Sequence, residues 1–137
     1  MKLNFLTYLA GFIILIIFVI SPNNNQHKLY GEWSGNLNDT EIQIAFSDNN
    51  NFKLKFINMI KSDSSSYEGK YEFENEKFPA TLNLKNINGM NHSLYSSLKF
   101  LSPESIRISF FSKRMKTRLF FLNDDNSFGL KMISKNK

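Results

Sequence analysis

Two histidines, His27 and His92, and four glutamates, Glu68, Glu72, Glu74 and Glu76, are the side chains of this 137-residue chain best suited to chemistry. An imidazole can move a proton at neutral pH or ligate a metal, and neighbouring carboxylates can share a proton or hold a hard cation. A triad or a metal site needs several such groups to converge. His27 lies in a polar stretch and His92 in a turn after Asn88-Gly89-Met90, so each reads as a solvated loop residue. In "YEGKYEFE", Glu68, Glu72 and Glu74 share one strand face with Lys70, opposite Tyr67, Tyr71 and Phe73, which describes a solvated charged face. The chain has no cysteine, which excludes a disulfide framework, a thiolate metal site, a cysteine nucleophile and a lipidated cysteine. The expectation is a protein that is not an enzyme and that carries no metal and no cofactor.

Cations are spread unevenly. Residues 1–98 hold eight lysines and nine acidic residues, whereas residues 99–137 hold nine Lys or Arg and three acidic residues, so the net charge of +5 belongs to the C-terminal part. There, strand alternation turns Arg107 and Phe111 outward on one segment and Arg118 and Phe120 outward on the next, with Lys113, Arg114 and Lys116 at the hairpin tip. Cations interleaved with aromatics suit anionic lipid or a protein partner. They also suit nucleic acid, but an exported domain would seldom meet it and no such partner is expected. Solubilising lysines with scattered exposed phenylalanines would give the same pattern.

The N-terminus predicts export. Residues 5–20, "FLTYLAGFIILIIFVI", form an uncharged apolar run. With its neighbours the run approaches the ~20 residues of helix that span a bilayer. Val19 and Ser21 suit a cleavage site, but Pro22 suits a scissile bond badly. An uncleaved signal anchor over residues 1–22 is therefore favoured, with secretion after cleavage as the alternative. Lys2 before the segment and an uncharged stretch after it put the N-terminus in the cytoplasm and the rest outside, in a periplasm or its equivalent. Residues 23–28 read as a linker, 29–134 as one domain and 135–137 as a tail.

From Leu29 onward nearly every segment alternates with period two between polar turns. "LYGEWSGNL" puts Trp33, the only tryptophan, on one face with Gly31 and Gly35. The glycines would leave room for the indole. "EIQIAF", "FKLKF", "ATLNL", "SLYSSLKF", "SIRISF", "RLFFL" and "FGLKM" follow, with Asn88-Gly89 as a hairpin signal. The inward set includes Phe46, Phe52, Phe56, Tyr67, Tyr71, Phe73, Phe100, Phe110, Phe121 and Phe128. Lys53 and Lys55 face out, and simple antiparallel register opposes Lys55 to Glu72 and Lys53 to Glu74. Eight or nine short strands joined in order predict an all-β, antiparallel up-and-down barrel, since a sheet of that size must close or fold over.

Gly31-Glu32-Trp33 resembles the G-x-W signature that opens lipocalins and other calycin barrels. "YEGKYEFENEKFPATLNL", with Gly69-Lys70-Tyr71, Pro79, Leu82 and Leu84, is similar to the later strands of small exported bacterial lipocalin-like domains. The resemblance implies a lipocalin-like barrel in which Trp33 packs across one end. It also implies an arginine stacked on the indole. Arg118 is the candidate, yet with Leu119 and Phe121 inside it points outward, so that seal requires a strand-end irregularity. An eight-stranded barrel can be filled by side chains or can hold one small ligand. The ligand reading is a narrow apolar pocket involving Trp33, Phe56, Tyr67, Tyr71, Ser96 and Phe110; the other is a plain aromatic core. Two functions follow: a membrane-tethered extracytoplasmic binding module for a small apolar ligand, or an accessory or assembly subunit docking its basic-aromatic face on a membrane complex.

Overall fold

The computed structural model describes residues 28–76, 78–114 and 121–135. It contains eight strands: β1 (Gly31–Leu37), β2 (Thr40–Phe46), β3 (Asn51–Asn58), β4 (Asp63–Glu74), β5 (Ala80–Lys85), β6 (Leu94–Ser102), β7 (Ser105–Ser109) and β8 (Ser127–Ser134). They pair antiparallel in chain order, and β8 returns to β1 to close an up-and-down barrel. No helix among the described residues is long and apolar enough to cross a membrane. The expected anchor over residues 1–22, and most of the linker, lie outside the described residues.

Turn chemistry sets the short connections. Asn38, Asn50 and Ser62 each take positive φ at a hairpin, a backbone region that asparagine tolerates better than most residues. Asn58 accepts the N–H groups of Ile60 and Lys61 on its Oδ1, closing the β3–β4 turn. Asn88-Gly89 sits inside the longer 86–93 connection rather than forming a two-residue hairpin; Asn86 and Gly89 are its positive-φ residues.

Alternation places the core. Trp33, Phe46, Phe52, Leu54, Leu82, Leu98, Ile106, Ile108 and Leu130 are all essentially sealed from solvent, and Phe56, Tyr67, Phe73 and Phe100 pack against them. Trp33 has 0% exposure, meets Phe100 edge-on at 6.4 Å, and donates its ring N–H to the Leu29 carbonyl at 2.8 Å. Truncating such a side chain costs about 3–5 kcal/mol. The flanking glycines serve a different neighbour from the one expected. A Cβ on Gly35 would stand 2.0 Å from the Gly129 carbonyl oxygen, and one on Gly31, where φ is +131°, 3.0 Å from that of Ser134. They let β8 close against β1, rather than making room for the indole.

Three further expectations are corrected. The β3–β4 register opposes Lys53 to Glu68 and Lys55 to Ser66, not to Glu74 and Glu72. Barrel closure staggers neighbouring strands. β4 therefore runs on from β3, and Tyr71, Glu72, Phe73 and Glu74 pair with β5 instead. Its first half, "DSSS", has no apolar alternation to reveal it as strand. Phe121 is 84% exposed, outside any strand, so it is not an inward residue of a ninth one. Phe110 and Phe111 exchange roles: Phe110 is 41% exposed whereas Phe111 packs on the core. The pairing explains the exchange. Leu98 opposes Ile108, but Tyr95 opposes Ser112, so one extra residue is accommodated after Ile108. The Ser97 N–H there donates to the Ser109 Oγ, and this bulge inverts the alternation beyond it.

Candidate functional site

The six residues assigned to a luminal pocket are dispersed and mostly engaged with one another or with backbone. Trp33 is buried as described. Phe56 and Tyr67 meet edge-on at 6.1 Å. Tyr71 meets Phe46 at 4.9 Å and donates its hydroxyl to the Ser47 carbonyl at 2.9 Å. Burial, then the nearby Asp48 carboxylate, pushes its pKa up. Ser96 is buried and donates to the Leu82 carbonyl at 3.4 Å. Phe110 lies beyond the end of β7, stacked on Phe128. Among the described residues no buried side-chain nitrogen or oxygen lacks a partner, so no orphaned polar group marks a ligand position inside.

The basic-aromatic face divides. Arg107 gives its guanidinium to Asp124 at 2.7 Å and reaches Ser127, so its charge is satisfied within the chain. Phe111 faces the core, while Lys113 and Arg114 are exposed. Lys116, Arg118 and Phe120 lie outside the described residues, as do Leu119 and the expected seal on Trp33. Glu68, Glu72 and Glu74 are exposed on the outer face, where alternation put them; Glu72 pairs with Lys85 at 2.7 Å. His92 sits partly exposed in the 86–93 connection with Nδ1 beside the Asn91 side chain. His27 is outside the described residues.

A recess of about 510 Å³ opens on the outer wall of β1–β4. Cross-strand register shows how it is built. One outward row runs Glu32, Ala45, Lys53, Glu68 across the four strands, and the next runs Ser34, Gln43, Lys55, Ser66. Between them lies the inward row Trp33, Ile44, Leu54, Tyr67, whose side chains point to the core and whose backbone forms the floor. The depression exists because Ala45 has almost no side chain where its row neighbours Glu32 and Lys53 are long. Asn88, held by its N–H to the Glu68 carbonyl, borders one side, and Ile133, 60% exposed, borders the other. Above it, Glu41 accepts from Gln43 and Ser34, which hold its carboxyl below the usual range with a smaller contribution from Lys55.

The sequence carries almost no signature of this recess. Its only local signal is an alanine in an outward slot, and that becomes informative only once Ala45 is known to stand between Glu32 and Lys53. The comparisons with known proteins add no relative: no family model matches the chain, and neither a curated protein nor a solved structure matches it significantly.

Proposed function

We propose that the protein is a non-catalytic binding module of lipocalin-like architecture, tethered by its N-terminal segment outside the cytoplasm, that takes a small ligand on its outer wall. The observation that carries this reading is the β1–β4 recess, whose volume lies within the usual range for small-molecule sites. The closed eight-stranded meander is compatible with a lipocalin-like fold. The buried apolar cluster inside the barrel, with no unpartnered buried side-chain nitrogen or oxygen among the described residues, argues for moving the ligand from the lumen, where such barrels usually hold it, to the outside.

A test uses the full chain extracted in mild detergent and analysed by native mass spectrometry. A co-purifying small molecule that is lost on Ala45→Trp, with an unchanged far-ultraviolet circular dichroism spectrum showing the fold intact, supports the outer site. A molecule retained by that variant returns the ligand to the lumen. A stoichiometric protein partner instead favours an accessory subunit docking through the end that carries Lys113, Arg114 and the exposed Phe110 and Phe121.

A further inference from the structure

Resting on that outer site, we infer that the β1–β4 recess selects an amphiphile with a single anionic head group, carboxylate or phosphate, held between Lys53 and Lys55. Both lysines line the recess. They lie two residues apart on β3, about 6.6–6.8 Å along the strand, and their flexible stems let both ammonium groups reach one anion. Among the described residues neither has a carboxylate within ion-pair distance, although Glu68 stands directly across from Lys53. Glu41, near Lys55, has its Oε1 occupied by Ser34 and Gln43. Neither ammonium is locked in an ion pair, so both can turn to one anion, whose two close contacts then outweigh their longer-range attraction to Glu32, Glu68 and Glu41.

The borders of the recess define the rest of the ligand. Glu32 and Glu68 stand at opposite ends of the Lys53 row and would repel a second anionic group there. Between the lysines and β8 the surface is Ala45 and the exposed Ile133, which suit a short apolar body. One anionic head followed by an uncharged chain meets these conditions. A dianionic molecule charged at both ends does not.

The experiment titrates the full chain, in a maltoside detergent, with hexanoate, hexyl phosphate, acetate and hexanol, following amide and side-chain shifts by NMR. Hexanoate or hexyl phosphate should shift β1–β4 signals, and whichever binds tighter names the head group. The double variant Lys53→Gln, Lys55→Gln should weaken that binding by at least about tenfold, the scale of a lost charged contact. Lys99→Gln, on another part of the outer wall, should leave it unchanged. Acetate binding more weakly than hexanoate supports a contribution from the apolar body. Equal affinity of the double variant, binding of hexanol as tight as that of hexanoate, or no binding of either anionic amphiphile overturns the inference. If a neutral molecule still binds and is excluded by Ala45→Trp, the outer site stands and only its anionic selectivity falls.

Discussion

The β1–β4 wall and the β6–β8 wall obey the same alternation but differ in how continuously their strands pair. Across β1–β4 the ladders run without a shift, so outward residues line up in rows and a depression can extend over four strands. Along β6–β8 and back to β1 the register breaks near Phe100 and Ser102, again after Ile108, and between Glu32 and Trp33. Each break is accompanied by an exposed apolar residue: Leu101, Phe110 and Ile133 respectively. A bulge adds a residue to one strand and re-aims its neighbours. The lesson is that a large apolar residue exposed within a strand or just past its end marks interrupted pairing here, while Met59, Ile60, Phe78 and Phe121 are exposed in the connections; the floor of the recess is a product of uninterrupted pairing.

The seam joining the two walls gives the largest predicted effect. Gly35→Val would drive a side chain into the Gly129 carbonyl, which belongs to backbone and cannot swing aside, so β8 must leave β1. The variant should lose more than about 4 kcal/mol, or its cooperative unfolding altogether. Gly129→Ala, across the same seam, meets only the Ile106 carbonyl oxygen at 4.0 Å and should change stability by no more than about 1 kcal/mol. Denaturant titration of the two full-length variants checks the contrast. A tolerated Gly35→Val would mean that the seam is looser than drawn.

The same contrast explains what was legible in the sequence. Period-two patterning identified the all-β class, the chain-order barrel, and the inward positions of Trp33, Phe46, Phe52, Leu54 and Tyr71, because a half-buried strand must alternate. It failed where alternation carries no apolar signal, as in the serine-rich start of β4, and where a bulge inverts parity, as at Phe110 and Phe111. Register is a pairwise property that depends on barrel stagger. Without it, Ala45 was an unremarkable alanine and the candidate site stayed hidden.

The bulge itself is tested next. If the extra residue after Ile108 turns Phe111 inward, Phe111→Ala should cost about 1–3 kcal/mol and Phe110→Ala less than about 1 kcal/mol. Unbroken alternation predicts the reverse order. Ser109→Ala removes the side-chain acceptor of the buried Ser97 N–H and should cost about 1–2 kcal/mol. Thermal unfolding of the three variants ranks them, and a Phe110 effect larger than that of Phe111 would erase the distinction between the walls.

Tyr71 stands where β4 passes from pairing with β3 to pairing with β5, and its hydroxyl ties that point to the β2–β3 turn through Ser47. Tyr71→Phe should cost about 1 kcal/mol near neutral pH. Because burial raises its pKa in the folded state, the neutral phenol contributes stability that is fully present below about pH 10, the ordinary tyrosine value, and is lost as pH rises through the raised value. The variant should therefore lose less stability than the parent in that alkaline window. Parallel alkaline limbs in urea titrations would show that Tyr71 ionisation does not contribute.

The smallest effect bears most directly on register. Simple antiparallel pairing would place Glu72 opposite Lys55, whereas the staggered barrel puts Glu72 on the β5 side, 2.7 Å from Lys85. Both partners are substantially exposed, so a double-mutant cycle on Glu72→Gln and Lys85→Gln should give a coupling of only about 0.2–1 kcal/mol. It should shrink with added salt. The matching cycle on Glu72→Gln and Lys55→Gln should give none, since Ser66 occupies the position across from Lys55. Coupling to Lys55 instead would shift β4 along β3, dismantle the row Glu32, Ala45, Lys53, Glu68, and remove the recess with it. A difference of a few tenths of a kcal/mol thus decides whether the outer wall has the continuity on which its proposed site depends.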